Sequence, residues 1–156
     1  MLWLRLIHIV FGTFWTGAAI FSAFFLLPAA RTAGPAAGAL MSRLGPRIGP
    51  TLGVASLLTI ISGFIMFGQL GALLHSPRGM ALGIGALAAL LAFVVGFAVS
   101  MPAAAKLGKL MAASGPPSPA QAGEMATLQA RNALGARLAA ICLIVAVGAM
   151  AVARYV

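Results

Sequence analysis

The sequence predicts an all-α polytopic membrane protein, a bundle of four transmembrane helices that forms a single domain over residues 1–156. Its composition is the first observation: 62% of the residues are hydrophobic and 7% are charged, whereas a water-soluble domain carries about 25% charged residues. The second is a set of apolar windows at about 2–28, 51–73, 79–101 and 133–153. The length of each window is close to or above the ~20 residues that a helix needs to cross a bilayer. Because lipid offers no hydrogen bonds to open backbone, each window is expected to be helical.

Breakers and charged residues separate the four windows, which is the third observation. Proline removes a backbone donor and glycine favours turns, so we expect each helix to end at these residues. They are Pro28 and Arg31 after the first window, Pro46 and Pro50 before the second, the stretch HSPRG (75–79) between the second and third, Met101 and Pro102 after the third, and Arg154 after the fourth.

The last helix is expected to begin well before its apolar window. Ser118, Pro119 and Gln121 have the spacing of an N-cap, a proline at the first helical position and a capping-box partner. The helix is therefore predicted to start near Pro119 and to run along or above the membrane interface before it enters the bilayer. Glu124 is the one acidic residue of the chain, and it is expected to pair with Lys106, Arg43 or Arg131 there.

The basic residues are distributed unequally between the two ends of the predicted bundle. Seven lie in or beside the two long loops, and three lie at the other end. Because cytoplasmic loops carry the excess of Lys and Arg, both termini are predicted to lie outside a bacterial inner membrane. The cationic loops would then contact anionic lipid headgroups. The first window is longer than the roughly 15 residues of a signal-peptide core, so it is interpreted as a retained span.

The charge pattern and the residue inventory argue against several functions. The net charge is +9, but the basic residues lie at the ends of apolar runs and not on one polar face, which argues against nucleic-acid binding. The chain has no paired carboxylates, no Ser-His-Asp set, no glycine-rich phosphate loop and no zinc-type spacing. Whether it is an enzyme is left open, and a non-catalytic role is favoured. The lone Cys142 is interpreted as a small packing residue.

Small and weakly polar residues recur at helical spacing in the last three windows. Membrane helices pack together through such residues, so these faces are predicted to point into the bundle. They are Ser56, Thr59, Gly63 and Met66 in the second window, Gly85, Ala89, Ala92, Gly96 and Ser100 in the third, and Gly135, Ala139, Cys142 and Ala146 in the fourth.

His8 is the principal candidate for function, because an ionisable side chain within a membrane span needs a partner. At 100° per residue it shares a helix face with Arg5, Gly12, Trp15 and Ala19. Gly12 lies one turn from His8 and leaves room for a flat ring beside the imidazole. We therefore predict a cofactor site at His8, Gly12 and Trp15. Two other interpretations stay open: a hydrogen bond to a serine, a carbonyl or interfacial water, and a role in proton transfer.

Further soft ligands are predicted at the same end of the bundle as His8. They are His75 in the turn and the thioethers of Met66, Met80 and Met150. His/Met sets suit copper, and His/His or His/Met pairs suit haem iron. His8, His75, Met66, Met80 and Met150 thus form the candidate metal set. The alternatives are a solvated loop histidine and methionines that fall at this end by chance.

Three stretches resemble the copper-resistance D-like membrane proteins and the HemJ-type protoporphyrinogen oxidases. They are LWLRLIHIVFGTFWTGAAIF (2–21), SMPAAAKLGKL (100–110) and QARNALGARLAAICLIV (129–145). The resemblance implies a four-helix membrane bundle, haem b bound by the first-span histidine (here His8) in one branch, and copper uptake or tolerance in the other.

The chain departs from the HemJ pattern at the end of its third window. It has MPAAAKLGK (101–109) where that family has a histidine-rich segment, with Lys106 in the place of a basic residue. Protoporphyrinogen oxidation is therefore not expected. Lys106, Arg131 and Asn132 are predicted to lie at the cytoplasmic interface.

Two hypotheses follow for the function of the chain. In the first, it binds haem b or copper through His8 near the outer face, for electron transfer or metal handling. In the second, it is a small accessory subunit of a larger respiratory or photosynthetic membrane complex. That subunit would hold no cofactor, and its small-residue faces would pack against other membrane chains.

Overall fold

The computed structural model describes residues 1–33, 35–69, 71–112 and 117–156. Over these residues the protein is helical and contains no strand. The helices are α1 (Leu2–Phe21), α2 (Leu27–Thr32), α3 (Pro35–Phe67), α4 (Pro77–Val95), α5 (Met101–Ala112) and α6 (Pro119–Val152). Four continuous helical stretches are long and apolar enough to cross a membrane, which confirms the predicted fold class: span 1 (Leu2–Thr32), span 2 (Gly38–Phe67), span 3 (Pro77–Met111) and span 4 (Pro119–Val152).

Spans 1 and 3 continue through prolines that were predicted to end them. A π-helical turn, Ser22–Leu26, joins α1 to α2, and a second one, Gly96–Ser100, joins α4 to α5. Each turn is followed two residues later by a proline, Pro28 or Pro102. A proline ring clashes with the carbonyl four residues before it and cannot donate to it, and a widened turn relieves that conflict. The helices therefore extend past the expected ends at 28 and 101.

The prediction that Pro46 and Pro50 precede the second helix was wrong, because both lie inside α3. Each proline removes one backbone hydrogen bond, whereas a broken helix beside the bilayer would leave several backbone groups without partners. The far end of α3 also differs from the expected limit at 73. The helix stops at Phe67, and a 3₁₀ turn, Gly71–His75, begins at a glycine with φ of +49°, a conformation that favours glycine.

The start of α6 confirms the predicted cap. The Ser118 amide donates to Gln121 Oε1 at 2.9 Å, and the Gln121 amide donates to Ser118 Oγ at 3.3 Å. With 34 residues, α6 is about 51 Å long at the usual rise per residue, well beyond the ~30 Å of hydrocarbon. Its first turns therefore extend past the membrane, where Glu124 forms an ion pair with Lys106. Lys106 is one of the three partners predicted for Glu124.

The spans pack mainly as two pairs, α1 with α3 and α4 with α6, and α6 also contacts α1. The faces between them are made of small residues, as predicted: Gly85, Ala89 and Ala92 of α4 are buried, as are Gly135, Ala139 and Ala146 of α6. The central cluster takes residues from all four spans and consists of Trp15, Ala55, Ala92, Ala139 and Leu143.

Large apolar side chains lie mostly on the outside of the bundle. Exposed examples are Phe21, Leu57, Leu87 and Ile141, one on each span. Lipid tails are as apolar as these side chains, so close packing of small residues holds the spans together and the large residues face the acyl chains. The arrangement is that of a membrane protein.

Candidate cofactor site at His8

His8 of α1 contacts α3 through a backbone carbonyl. Its Nδ1 lies 2.8 Å from the carbonyl oxygen of Thr59. A carbonyl oxygen only accepts, so Nδ1 carries the proton and donates it. In the neutral form of the ring the lone pair is then on Nε2, which forms no hydrogen bond with any residue that the structure describes. His8 is partly buried. Because Nδ1 is already hydrogen-bonded, Nε2 is the ring nitrogen that can bind a ligand.

The α3 face that receives the imidazole follows from residue spacing. Thr59, Ser62, Gly63 and Met66 recur at three- and four-residue intervals and share one face of the helix. Gly63 lies directly against the ring, because a methyl group at that position would be 2.9 Å from Cε1 of His8. The absence of a side chain at Gly63 therefore lets α1 and α3 approach closely enough for the hydrogen bond to form.

The hydroxyl groups on this face are engaged with their own helix. Thr59 Oγ1 donates to the carbonyl oxygen of Ala55 at 2.7 Å, and Ser62 Oγ donates to that of Leu58 at 2.6 Å. Ser62 Oγ is also 3.4 Å from His8 Nδ1, a longer contact than the one to Thr59. The carbonyl oxygen, not a serine hydroxyl, is thus the main partner of His8, one of the possibilities left open by the sequence.

Gly12, predicted to leave space for a cofactor, faces α3. A methyl group at position 12 would lie 3.3 Å from Cγ2 of Thr59. The Thr59 side chain therefore covers this glycine, and the small residue allows helix–helix contact. The glycine that contacts the imidazole is Gly63, which the sequence marked only as part of a packing face.

Trp15 lies two turns from His8, and its side chain is only 7% exposed. It packs at the centre of the bundle against Ala55, Ala92, Ala139 and Leu143. A tryptophan in that position is the main large side chain of the core. Its assignment to a cofactor site stays a prediction.

The other predicted ligands lie on several different elements of the fold. Met66 is on the α3 face that holds His8, whereas Met150 of α6 packs against Gly85 of α4. Met80 is 63% exposed at the start of α4, and His75 is exposed in the 3₁₀ turn. Within the described ranges, no group of three or more His, Cys, Asp or Glu side chains is placed to hold a metal ion.

The predicted cytoplasmic-interface residues all lie toward the end of the bundle that carries α5 and the first turns of α6. Lys106 pairs with Glu124, Arg131 is exposed on α6, and Asn132 is partly buried. Their contact with lipid headgroups stays a prediction.

The hydrogen bond from His8 predicts a defined tautomer, which nitrogen NMR measures directly. In a His75→Gln background, His8 is the one remaining histidine, and its spectrum is expected to show the Nδ1–H form. Gly63→Ala is expected to displace the ring and to reduce that form, because the added methyl group would lie 2.9 Å from Cε1. Gly53→Ala is the matched control on the same helix, since nothing lies within 4 Å of its added methyl group. An Nε2–H tautomer in the parent protein would contradict the geometry.

Comparison with known proteins adds no support to the family resemblance that was drawn from the sequence. No protein-family model, no curated protein and no solved structure matches the chain. Membership of the copper-resistance D-like or HemJ-like proteins therefore stays a prediction.

Proposed function

We propose that the chain is a bacterial inner-membrane protein that uses Nε2 of His8 as a ligand for haem b, or for a copper ion, in electron transfer or metal handling. The observation that supports this function is the hydrogen bond from Nδ1 to the Thr59 carbonyl. Histidines that bind metals almost always donate their other ring N–H to a carbonyl, a carboxylate or water. That bond fixes the tautomer and raises the basicity of the ligating nitrogen.

The residues around His8 would prepare the imidazole for its ligand. Thr59 orients the ring through its carbonyl, and Gly63, which has no side chain, leaves the space that the ring occupies. The apolar spans around them would keep water away, which tunes the potential of a bound redox group. The bound group would supply a reversible one-electron change, and the protein would supply its axial nitrogen and its surroundings.

The second ligand would come from Met66 or from another membrane chain. Met66 is the predicted soft ligand on the same α3 face as Thr59, Ser62 and Gly63. His75, Met80 and Met150 lie elsewhere on the bundle, so they support the site less well. A partner chain that supplies the missing ligand would make the site complete only in an assembly.

The orientation and lipid partners form part of the same proposal. Seven of the ten basic residues lie at the end of the bundle that carries the long loops, so both termini would lie on the outer side. His8 would then lie near the outer face, and the loop end would contact anionic headgroups on the cytoplasmic face.

The absorption spectrum of the purified protein tests the proposal. We expect a Soret band in protein produced with haem available, or stoichiometric copper by elemental analysis. His8→Ala is expected to abolish either signal, because it removes the ligating nitrogen. His75→Ala is the matched control and is expected to retain the signal, since His75 is exposed in a turn. Absence of both haem and copper from the wild-type protein would reject the function.

A second candidate, an accessory subunit without a cofactor, is supported by a different feature. Each span has a glycine beside which no atom of the described residues lies within 4 Å: Gly17, Gly53, Gly83 and Gly148. Such positions would let a helix of another chain approach closely. If the detergent-extracted protein occurs only within a large assembly, without haem or copper, and His8→Ala leaves that assembly intact, this candidate replaces the first.

A further inference from the structure

A cavity of about 380 Å³ opens where the end of span 1 meets α6. It is lined by Ala23, Pro28, Arg31 and Thr32 from span 1 and by Ala133 and Arg137 from α6. It is separate from the His8 site, which lies on the α1–α3 face. We call it the Arg31–Arg137 cavity after its two cationic residues.

The two arginines have no side-chain carboxylate with which to pair. Glu124 is the one acidic residue among 156, and it is bound to Lys106. Two guanidinium groups around one cavity repel each other unless an anion lies between them. The balancing charge must therefore come from outside the chain.

The chemistry of the lining indicates what kind of anion fits. Guanidinium groups bind phosphate oxygens in a bidentate fork, and they do so better than lysines. The Thr32 hydroxyl already donates to the carbonyl oxygen of Ala29 at 3.0 Å, so Arg31 and Arg137 are the available donors. The remaining walls are alanine and proline, which contact an apolar portion of the ligand and not a second charged group.

The size and the position of the cavity point to a lipid. Its volume of about 380 Å³ is much larger than an inorganic phosphate needs and lies in the usual range for small-molecule sites. Arg137 lies 15 residues before Val152, or about 22 Å along the helix. In a hydrocarbon core of roughly 30 Å, it therefore lies near the far interface, and its long side chain reaches the headgroup level.

We propose that the Arg31–Arg137 cavity binds the phosphate headgroup of an anionic phospholipid. The π-helical turn of span 1 contributes to the shape of the site, because it carries the almost fully buried Ala23, which lines the cavity together with Ala133. The lipid phosphate lies between the two guanidinium groups, and the glycerol and upper acyl chains lie against the alanines. The bound lipid thereby joins span 1 to span 4 at the loop end of the bundle.

Native mass spectrometry tests this site. It measures how much phosphatidylglycerol the detergent-purified full-length protein retains. The Arg31→Gln/Arg137→Gln double variant is expected to lower the apparent affinity about tenfold or more, since two charge-assisted contacts are lost. Both residues are exposed, so the variant is expected to fold, which circular dichroism verifies. The matched control is Arg43→Gln/Arg47→Gln, which removes the same charge from exposed positions outside the cavity. It is expected to change the affinity less than twofold.

Three outcomes would overturn the proposal. The first is an equal loss of phosphatidylglycerol affinity in the two double variants, which would mean that all the basic residues at the loop end attract the lipid. The second is no loss in either variant. The third is displacement of phosphatidylglycerol by millimolar inorganic phosphate, which would identify a site for a soluble anion instead of a lipid. Loss in the cavity variant alone, with phosphate unable to compete, supports the site.

Discussion

Gly85→Leu is expected to lower the free energy of unfolding by about 3 kcal/mol, the upper part of the usual range for overpacking a tight interface. Gly85 lies where α4 meets α6, and it is buried. A methyl group at this position would be 3.1 Å from the backbone carbonyl oxygen of Ala146 and 3.0 Å from Cγ of Met150. The methionine can rotate away, but the backbone of α6 cannot, so the two helices must separate.

Gly83→Leu is the matched control for this substitution. Gly83 lies two residues earlier on the same helix, and in the described part of the chain no atom lies within 4 Å of an added methyl group there. Gly83 is partly buried, but the space beside it is open, so we expect the effect to stay within about 0.5 kcal/mol. Unfolding in mixed micelles with increasing sodium dodecyl sulfate, followed by circular dichroism, measures both variants. Equal stability of the two would contradict the packing of α4 on α6.

The contrast between Gly83 and Gly85 shows what can be predicted from the sequence and what needs the structure. The sequence shows that a small-residue face on α4 is a packing face, because lipid gives large side chains no reason to turn inward. Of the residues predicted to face inward in the third window, Gly85, Ala89 and Ala92 are buried, whereas Gly96 and Ser100 are only partly buried. How closely a given glycine meets its neighbour depends on the register between two helices, which no local pattern specifies.

The prolines show where rules for soluble proteins misled the prediction. Pro28 and Pro102 were expected to end helices and Pro46 to precede one, but the helices continue through all three positions. In water, an interrupted helix satisfies its free backbone groups with solvent. In or beside lipid the same groups would lack partners, so a π-helical turn or the loss of a single hydrogen bond costs less.

The candidate site could be predicted only in part. The sequence marked His8, because an imidazole in an apolar span needs a partner. It did not identify the partner, because every residue carries a backbone carbonyl and only the register of α1 on α3 selects that of Thr59. The same register explains why Gly63, and not Gly12, contacts the ring.

Trp15→Ala is expected to be the second strongly destabilising substitution, at about 2–3 kcal/mol. Trp15 is 7% exposed and belongs to a core cluster with residues of the other three spans. Truncation of a buried tryptophan usually costs ~3–5 kcal/mol, of which part is transfer from water. In a membrane the transfer contribution is small, because the unfolded spans stay in lipid. The expected cost therefore comes from the lost packing contacts and from the cavity that the smaller side chain leaves.

Trp3→Ala is the control, because Trp3 is the other tryptophan of the chain. It lies on the same helix with 72% of its side chain exposed, and its replacement is expected to change the stability by about 0.5 kcal/mol or less. The detergent unfolding series used for Gly85 measures both. The comparison also separates two roles for Trp15, because a core residue changes stability even in protein without haem or copper. A Trp15→Ala variant as stable as Trp3→Ala, but with an altered Soret band, would instead assign Trp15 to the cofactor site and contradict the packing described for the four spans.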